Sequence, residues 1–202
     1  MDLGGLFFST WLKFFFIMTP FFVLSMYLSM TGGVNQARRR KLVFKIVFSS
    51  LVVSLVLLFF GNLIFELFGI TLDSFRIGGG ALLFLSAVGL VNNLPAEINV
   101  GDVENNDIAV VPLAIPITIG PGTTGALLVL GAETNGVAEK LVSCVALIAA
   151  LGGLCMILLL GEIIEKMLGK RGIVIMSKLT GLVLAALASQ MIFTGVAAFL
   201  KK

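Results

Sequence analysis

The residues of this 202-residue chain best placed to do chemistry lie in one stretch, PLAIPITIGPGTTG, from Pro112 to Gly125. It sets the hydroxyls of Thr118, Thr123 and Thr124 among Pro112, Pro116 and Pro121 and among Gly120, Gly122 and Gly125. Each proline removes a backbone donor and strains the carbonyl one turn earlier. The glycines permit turns and the close approach of another group. Both flanks are apolar, and a helix broken inside hydrocarbon survives only where protein or water covers its freed backbone groups. A break also exposes a half-helix N-terminus, which attracts a carboxylate, and a C-terminus, which attracts an ammonium group. The chemistry on offer is therefore reversible binding of a zwitterion, such as an amino acid, by backbone ends and hydroxyls. Thr19-Pro20 forms a second weak point of the same kind. The expected substrate-binding residues are Thr19, Pro20, Pro116, Thr118, Gly120, Pro121, Gly122, Thr123 and Thr124. A helix kinked for shape alone would use the same residue types, since Pro and Gly are common in membrane helices. Three prolines and three glycines within fourteen residues favour the functional break.

Bond-breaking chemistry has little to work with. The chain holds no histidine, which removes imidazole zinc sites, His-based triads and His proton relays. Cys144 and Cys155, eleven residues apart in one apolar segment, read as inert buried thiols. Neither a Gly-x-Ser-x-Gly elbow nor a membrane-centre pair of aspartates occurs. No enzyme, cofactor or metal site is expected. The net charge is only +3 and no long basic tract with interleaved aromatics occurs, so nucleic acid is not expected as a partner.

The elements that must carry these residues are membrane helices. The chain is 58% hydrophobic and 12% charged, against about 25% charged in a soluble domain, and its mean hydropathy is +1.12. A spanning helix needs roughly 20 mostly apolar residues. Six windows meet or approach this: Phe14–Met30, Ile46–Ile64, Ile77–Leu94, Ile108–Ala132, Leu141–Leu160 and Leu179–Leu200. The start, MDLGGLFFSTWLKFFFIMTPFF, has an acid rather than a basic beginning and no small-x-small cleavage site, so it reads as a retained first span. Short connections leave one polytopic membrane unit over residues 1–202, with the lipid bilayer as its surroundings. The central thirds of the windows hold hardly any ionisable side chain, which fits a neutral or zwitterionic cargo. The coupling ion is left open, as is assembly into a homo-oligomer.

Orientation follows from the basic residues of the connections. Arg38, Arg39, Arg40, Lys41, Lys45, Lys166, Lys170, Arg171 and Lys178 fall on one side, nine in all; Lys13, Arg76, Lys140, Lys201 and Lys202 fall on the other, five in all. The bias favours both termini outside the cell membrane.

The two halves, about 1–101 and 102–202, resemble each other. Gly61 and Gly69 bracket GNLIFELFG, and Gly161 and Gly169 bracket GEIIEKMLG, an offset of 100. Arg76-Ile-Gly-Gly79 parallels Lys178-Leu-Thr-Gly181, and Thr19-Pro20 parallels Gly120-Pro121. Three spans per half force the second copy to run the opposite way, the inverted-repeat plan of many secondary transporters. The predicted fold is all-helical, with six spans in two inverted three-helix repeats and broken helices in spans one and four.

Other features read as packing. Gly181, Ala185 and Ser189 recur every four residues as a small-residue stripe. Gly78, Gly79 and Gly80 open the third span in the same way. Arg76 and Lys178 sit at span ends, where snorkelling is the default. Asn92, Asn93 and Gln190 are candidates to line a cavity.

At VPLAIPITIGPGTTGALL and FGITLDSFRIGGGALLFLSAVGL the chain closely resembles the MarC family of bacterial integral membrane proteins. The resemblance continues through the Thr-Pro turn of span one, TGGVNQARRRK and SKLTGLVLAALASQMIFTGV, and so covers nearly the whole length. It implies a six-span inner-membrane protein and a grouping with transporters of small neutral amino acids such as alanine, glycine and serine. The family pattern falls on Pro112, Pro116, Gly120, Pro121 and Gly122. A short third loop departs from members with a longer acidic segment there. The rival expectation is a non-transporting structural or regulatory membrane protein, in which the Pro/Gly stretch only bends a helix.

Overall fold

Two prolines decide where two short helices begin. A proline has no N–H to lose at the first turn of a helix, yet it disfavours helical geometry in the residue before it. The computed structural model describes residues 3–31, 34–92, 118–134 and 136–200, and in it α1 (Leu3–Ile17) stops just before Pro20 starts α2 (Pro20–Met30). Between them Thr19 takes the left-handed conformation (φ 48°, ψ 56°), while its carbonyl accepts the first bond of α2 from Val23 at 3.0 Å. The second short helix, α5 (Pro121–Glu133), starts on Gly120, which is extended at φ −80°, ψ 179°.

The remaining helices are longer. α3 (Gln36–Phe68) starts where Asn35 accepts the Ala37 N–H at 3.3 Å. It ends at Gly69 (φ 60°), whose N–H reaches the Glu66 carbonyl while Ile70 reaches Phe65. This is a Schellman stop, and it needs a residue that tolerates positive φ. Thr71 then caps α4 (Leu72–Asn92) by accepting the Ser74 N–H at 3.2 Å. α6 (Val137–Leu159) follows a short turn, and α7 (Gly161–Leu200) bends at Gly169 (φ 67°, ψ 169°). Gly69 and Gly169 are the two glycines of positive φ among the described residues, and both are positions at which the sequence repeat aligns.

Five helical stretches are long and apolar enough to cross a membrane: Gly4–Met30, Gln36–Phe60, Leu72–Asn92, Val137–Leu159 and Gly161–Leu200. They overlap five of the six expected windows, stop short of them at some ends, among them Ile64 and Leu94, and run past them at several others. The reason is that Arg, Lys, Glu and Gln are good helix formers, so runs such as QARRRK and EIIEKMLGKR extend the helices into the interface. The fourth window, Ile108–Ala132, is described only from residue 118 onward. Its helix α5 has 13 residues, about 20 Å at 1.5 Å per residue, too short by itself for a hydrocarbon core of about 30 Å.

Surface and interior follow membrane rather than aqueous logic. Phe44, Phe48, Val52, Val56, Phe59 and Leu63 form an exposed apolar stripe along α3, on the side that the bilayer would cover. Helix association in lipid relies on close packing rather than on a hydrophobic drive, so small residues mark the contacts. A Cβ added to Gly195 would stand 2.8 Å from the Asp73 carbonyl oxygen, one on Gly80 3.1 Å from that of Ala188, and one on Gly181 3.2 Å from that of Ala87. These pairs run in opposite order along α4 and α7, so the two helices are antiparallel. α5 is seated by glycines on both sides. A Cβ on Gly122 would lie 2.7 Å from the Leu83 Cα, one on Gly125 2.9 Å from the Gly79 Cα, and one on Gly131 would overlap the Leu58 carbonyl of α3. The expected packing roles of Gly79, Gly80 and Gly181 are thus met, whereas a Cβ added to Gly78 would meet nothing within 4 Å.

One arginine bridges helices at each end of the bundle. At the end carrying the start of α1 and the close of α7, Arg76 donates to Asp73 at 2.7 Å and to Glu133 of α5 at 2.8 Å. At the other end Arg39 donates to the Thr31 carbonyl at 2.6 and 3.0 Å, where α2 stops, and to Glu162 of α7.

Candidate functional site

The end of α1 and the start of α5 meet. The Thr123 hydroxyl, on the first turn of α5, donates to the Ile17 carbonyl at the last turn of α1, at 3.3 Å across 106 positions of sequence. That carbonyl belongs to the four that a helix leaves unpaired at its C-terminus, so Thr123, on the first turn of α5, satisfies the end of α1. Thr19 and Pro20 are buried beside it. Thr118 is fully buried, and Thr124 is half-buried with its N–H on the Gly120 carbonyl at 2.9 Å. Gly120 and Pro121 form the start of α5. Gly122 admits the backbone of Leu83, so the close approach it allows is taken by a helix. Pro112 and Pro116 lie outside the described residues.

Open space begins one step away from these residues. A cavity of about 270 Å³ lies between α1, α4, α5 and α7 at the end that holds Arg76. Its inner part is apolar, with Ile17 from α1, Leu83 from α4 and Ala126 from α5. Ile17 is the residue whose carbonyl takes the Thr123 bond, and Leu83 is the residue against which Gly122 packs, so the cavity ends beside the close of α1 and the start of α5. Its outer part is polar, with Lys13, Arg76, Glu133, Gln190 and Thr194. The volume falls below the roughly 300–1,000 Å³ of pockets for drug-sized ligands, which suits a smaller solute.

Among the residues lining this cavity are none of the four expected threonines. Gln190, one of the candidates to line a cavity, is there. Lys13, Glu133 and Arg76 were not expected, because a charge near a span end reads by default as snorkelling. The usable signal was the lone acid in PGTTGALLVLGAE, seven residues beyond Ala126 on the same helix face.

A second cavity, of about 250 Å³, lies at the opposite end between α2 and α7. Its α2 wall consists of Ser25, Leu28 and Ser29. Moved by the 101-residue offset of the two prolines, these positions become Ala126, Val129 and Leu130, which form the α5 wall of the first cavity. Among the described residues no group of three or more His, Cys, Asp or Glu is arranged to hold a metal ion.

Residues 5–200 match the sequence profile of the MarC family integral membrane protein. The chain belongs to the MarC family. A UPF0056 membrane protein of Methanocaldococcus jannaschii is 33% identical over 187 residues, covering 90% of this chain and 91% of the relative. The UPF0056 inner membrane protein YhgN of Escherichia coli K12 is 30% identical over 185 residues, covering 92% and 93%. A UPF0056 membrane protein of Aquifex aeolicus is 30% identical over 210 residues, covering 99% and 96%. No solved structure matches this MarC protein at the same level of significance.

Proposed function

We propose that this MarC protein is a secondary transporter of the cell membrane, with both termini outside, that moves small neutral amino acids of the alanine, glycine and serine type. Transport proceeds by alternating access around the breaks between α1 and α2 and at the start of α5. The observation that carries this reading is the bond from Thr123 to the Ile17 carbonyl at the closed end of a cavity. Two interrupted helices touch at the point where a solute path would have to pass.

Three features support six spans in two inverted halves, with the fourth window supplying the sixth span. The last helices of the two halves, α4 and α7, are antiparallel in their contacts. The positive-φ glycines stand 100 residues apart and the helix-starting prolines 101 apart. Cavities of similar size open toward opposite ends on walls related by the same offset. Alternating access needs two such half-paths, of which only one communicates with the centre at a time.

The test is uptake of radiolabelled alanine, glycine and serine into liposomes carrying the purified protein, under sodium or proton gradients. Uptake above protein-free liposomes that saturates with solute is the expected result. No uptake of any of the three under either gradient sinks the proposal.

A further inference from the structure

We infer that the cavity beside Arg76 binds a small α-amino acid through side chains, with Lys13 holding the carboxylate, Glu133 the ammonium group and the apolar inner wall an aliphatic side chain. The inference rests on the transport reading and names the groups that would select its cargo.

Four helices grade the cavity in the same sense. α1 places Ile17 deep and Lys13 one turn further out. α4 places Leu83 deep and Arg76 two turns out, α5 does the same with Ala126 and Glu133, and α7 sets Leu187 deep and Gln190 and Thr194 outward. Positions four and seven residues apart share a helix face, so each helix presents an apolar and then a polar residue along one wall. Seven residues of helix cover about 10 Å, enough depth for one small amino acid lying with its side chain inward. Thr19, Thr118 and Thr123 are buried, and Thr123 is bonded to Ile17, so these three hydroxyls do not face the cavity.

Charge then selects a zwitterion. Arg76 is already held by two carboxylates, those of Asp73 and Glu133. Both of its bonds to Glu133 use Oε1, so Oε2 of Glu133 is not used by Arg76. Lys13, on the exposed rim, supplies the second positive charge. Two positive and two negative groups thus face or flank the cavity. A ligand of one sign would leave one charge unbalanced, whereas a zwitterion leaves none. Gln190 can donate and accept and serves either end of the ligand.

The experiment is binding to the purified full chain in detergent, read by equilibrium dialysis. The probes are L-alanine, L-alaninamide, which lacks the carboxylate, and propionate, which lacks the ammonium group. Wild type is expected to bind L-alanine at least tenfold more tightly than either analogue. Lys13→Gln should weaken L-alanine at least tenfold and leave alaninamide unchanged. Glu133→Gln should weaken L-alanine at least tenfold and leave propionate unchanged, and Lys166→Gln, at the far end, should alter none. Lys13 is exposed, so its variant decides the matter even if loss of the Arg76 partner unfolds the Glu133 variant. If wild type and both variants bind and transport L-alanine alike, this assignment is overturned while the transport reading stands. If wild type neither binds nor takes up alanine, glycine or serine, both fall.

Discussion

Replacing Gly131 by alanine tests the seat of α5 with a single methyl group. That methyl would overlap the Leu58 carbonyl oxygen and stand 3.0 Å from the carbonyl carbon and 3.1 Å from the Cα. Favourable carbon contacts lie at about 3.5–4.0 Å, so α3 and α5 would have to separate by roughly 0.5–1 Å at the crossing. Both partners are backbone, and no rotamer change relieves them. Overpacking of this kind costs about 1–3 kcal/mol, and backbone against backbone belongs at the upper end. Alanine returns up to about 1 kcal/mol of helix propensity over glycine, which leaves a net loss of about 2 kcal/mol. Gly78→Ala is the matched control, because a Cβ there meets nothing within 4 Å. It keeps the propensity gain without the clash, so the two variants should differ by about 3 kcal/mol. Unfolding in mixed micelles by titration with dodecyl sulfate, followed through helical circular dichroism, gives both free energies. Two variants within about 0.5 kcal/mol of each other, the ordinary scatter of surface substitutions, would refute the packing of α5 on α3.

The same assay reads substitutions at three further positions. A non-glycine residue in the left-handed region carries about 1–2 kcal/mol of backbone strain. Thr19→Gly should therefore be at least as stable as wild type, while Thr19→Val keeps the strain and gains nothing; a Thr19→Gly variant less stable than Thr19→Val contradicts this. Arg39→Gln should cost about 1–3 kcal/mol, because it strips a carbonyl and a carboxylate of a charged donor. Glu162→Gln should cost less than about 1 kcal/mol, since that carboxylate is half exposed and salt screens it. Equal losses in the two variants would show that Arg39 acts only through the ion pair.

Composition and the Pro/Gly pattern made the membrane class and two helix starts legible, because proline and glycine act through backbone sterics that need no tertiary context. Thr19-Pro20 and Gly120-Pro121 became helix starts for that reason. The meeting of the end of α1 with the start of α5 was not legible. It depends on α5 lying against α4 through Gly122 and Gly125, and neither the partner helix nor the contact level is written in the local pattern. The polar rim was hidden for a different reason. Lys13, Arg76 and Glu133 lie 57 or more residues apart in consecutive pairs, and each alone looks like an interfacial charge. Only the antiparallel packing of α4 on α5 joins Arg76 to Glu133. Helix ends were misjudged wherever charged residues with high helix propensity prolonged an apolar window.

Under the inverted-repeat reading the two halves are closer in backbone than in charge, and this bears on how two half-paths would open. To widen the cavity at the Arg76 end, α5 must leave α4, which breaks the Arg76–Glu133 pair. To widen the cavity at the other end, α2 must leave α7, which pulls the Thr31 carbonyl and Glu162 apart across Arg39. Each short half-helix is therefore tied at its C-terminal end by one arginine that also binds a carboxylate, but the two ties differ in kind. Arg76 joins two carboxylates, so a zwitterion at its cavity can replace part of what opening removes. Arg39 serves a backbone carbonyl, which must find another donor when its end opens. A ligand able to compensate at one end and not at the other shifts the balance between the two states by its differential affinity. Under the transport reading, the direction of coupling is then set by side chains in which the halves differ, on a backbone that they share.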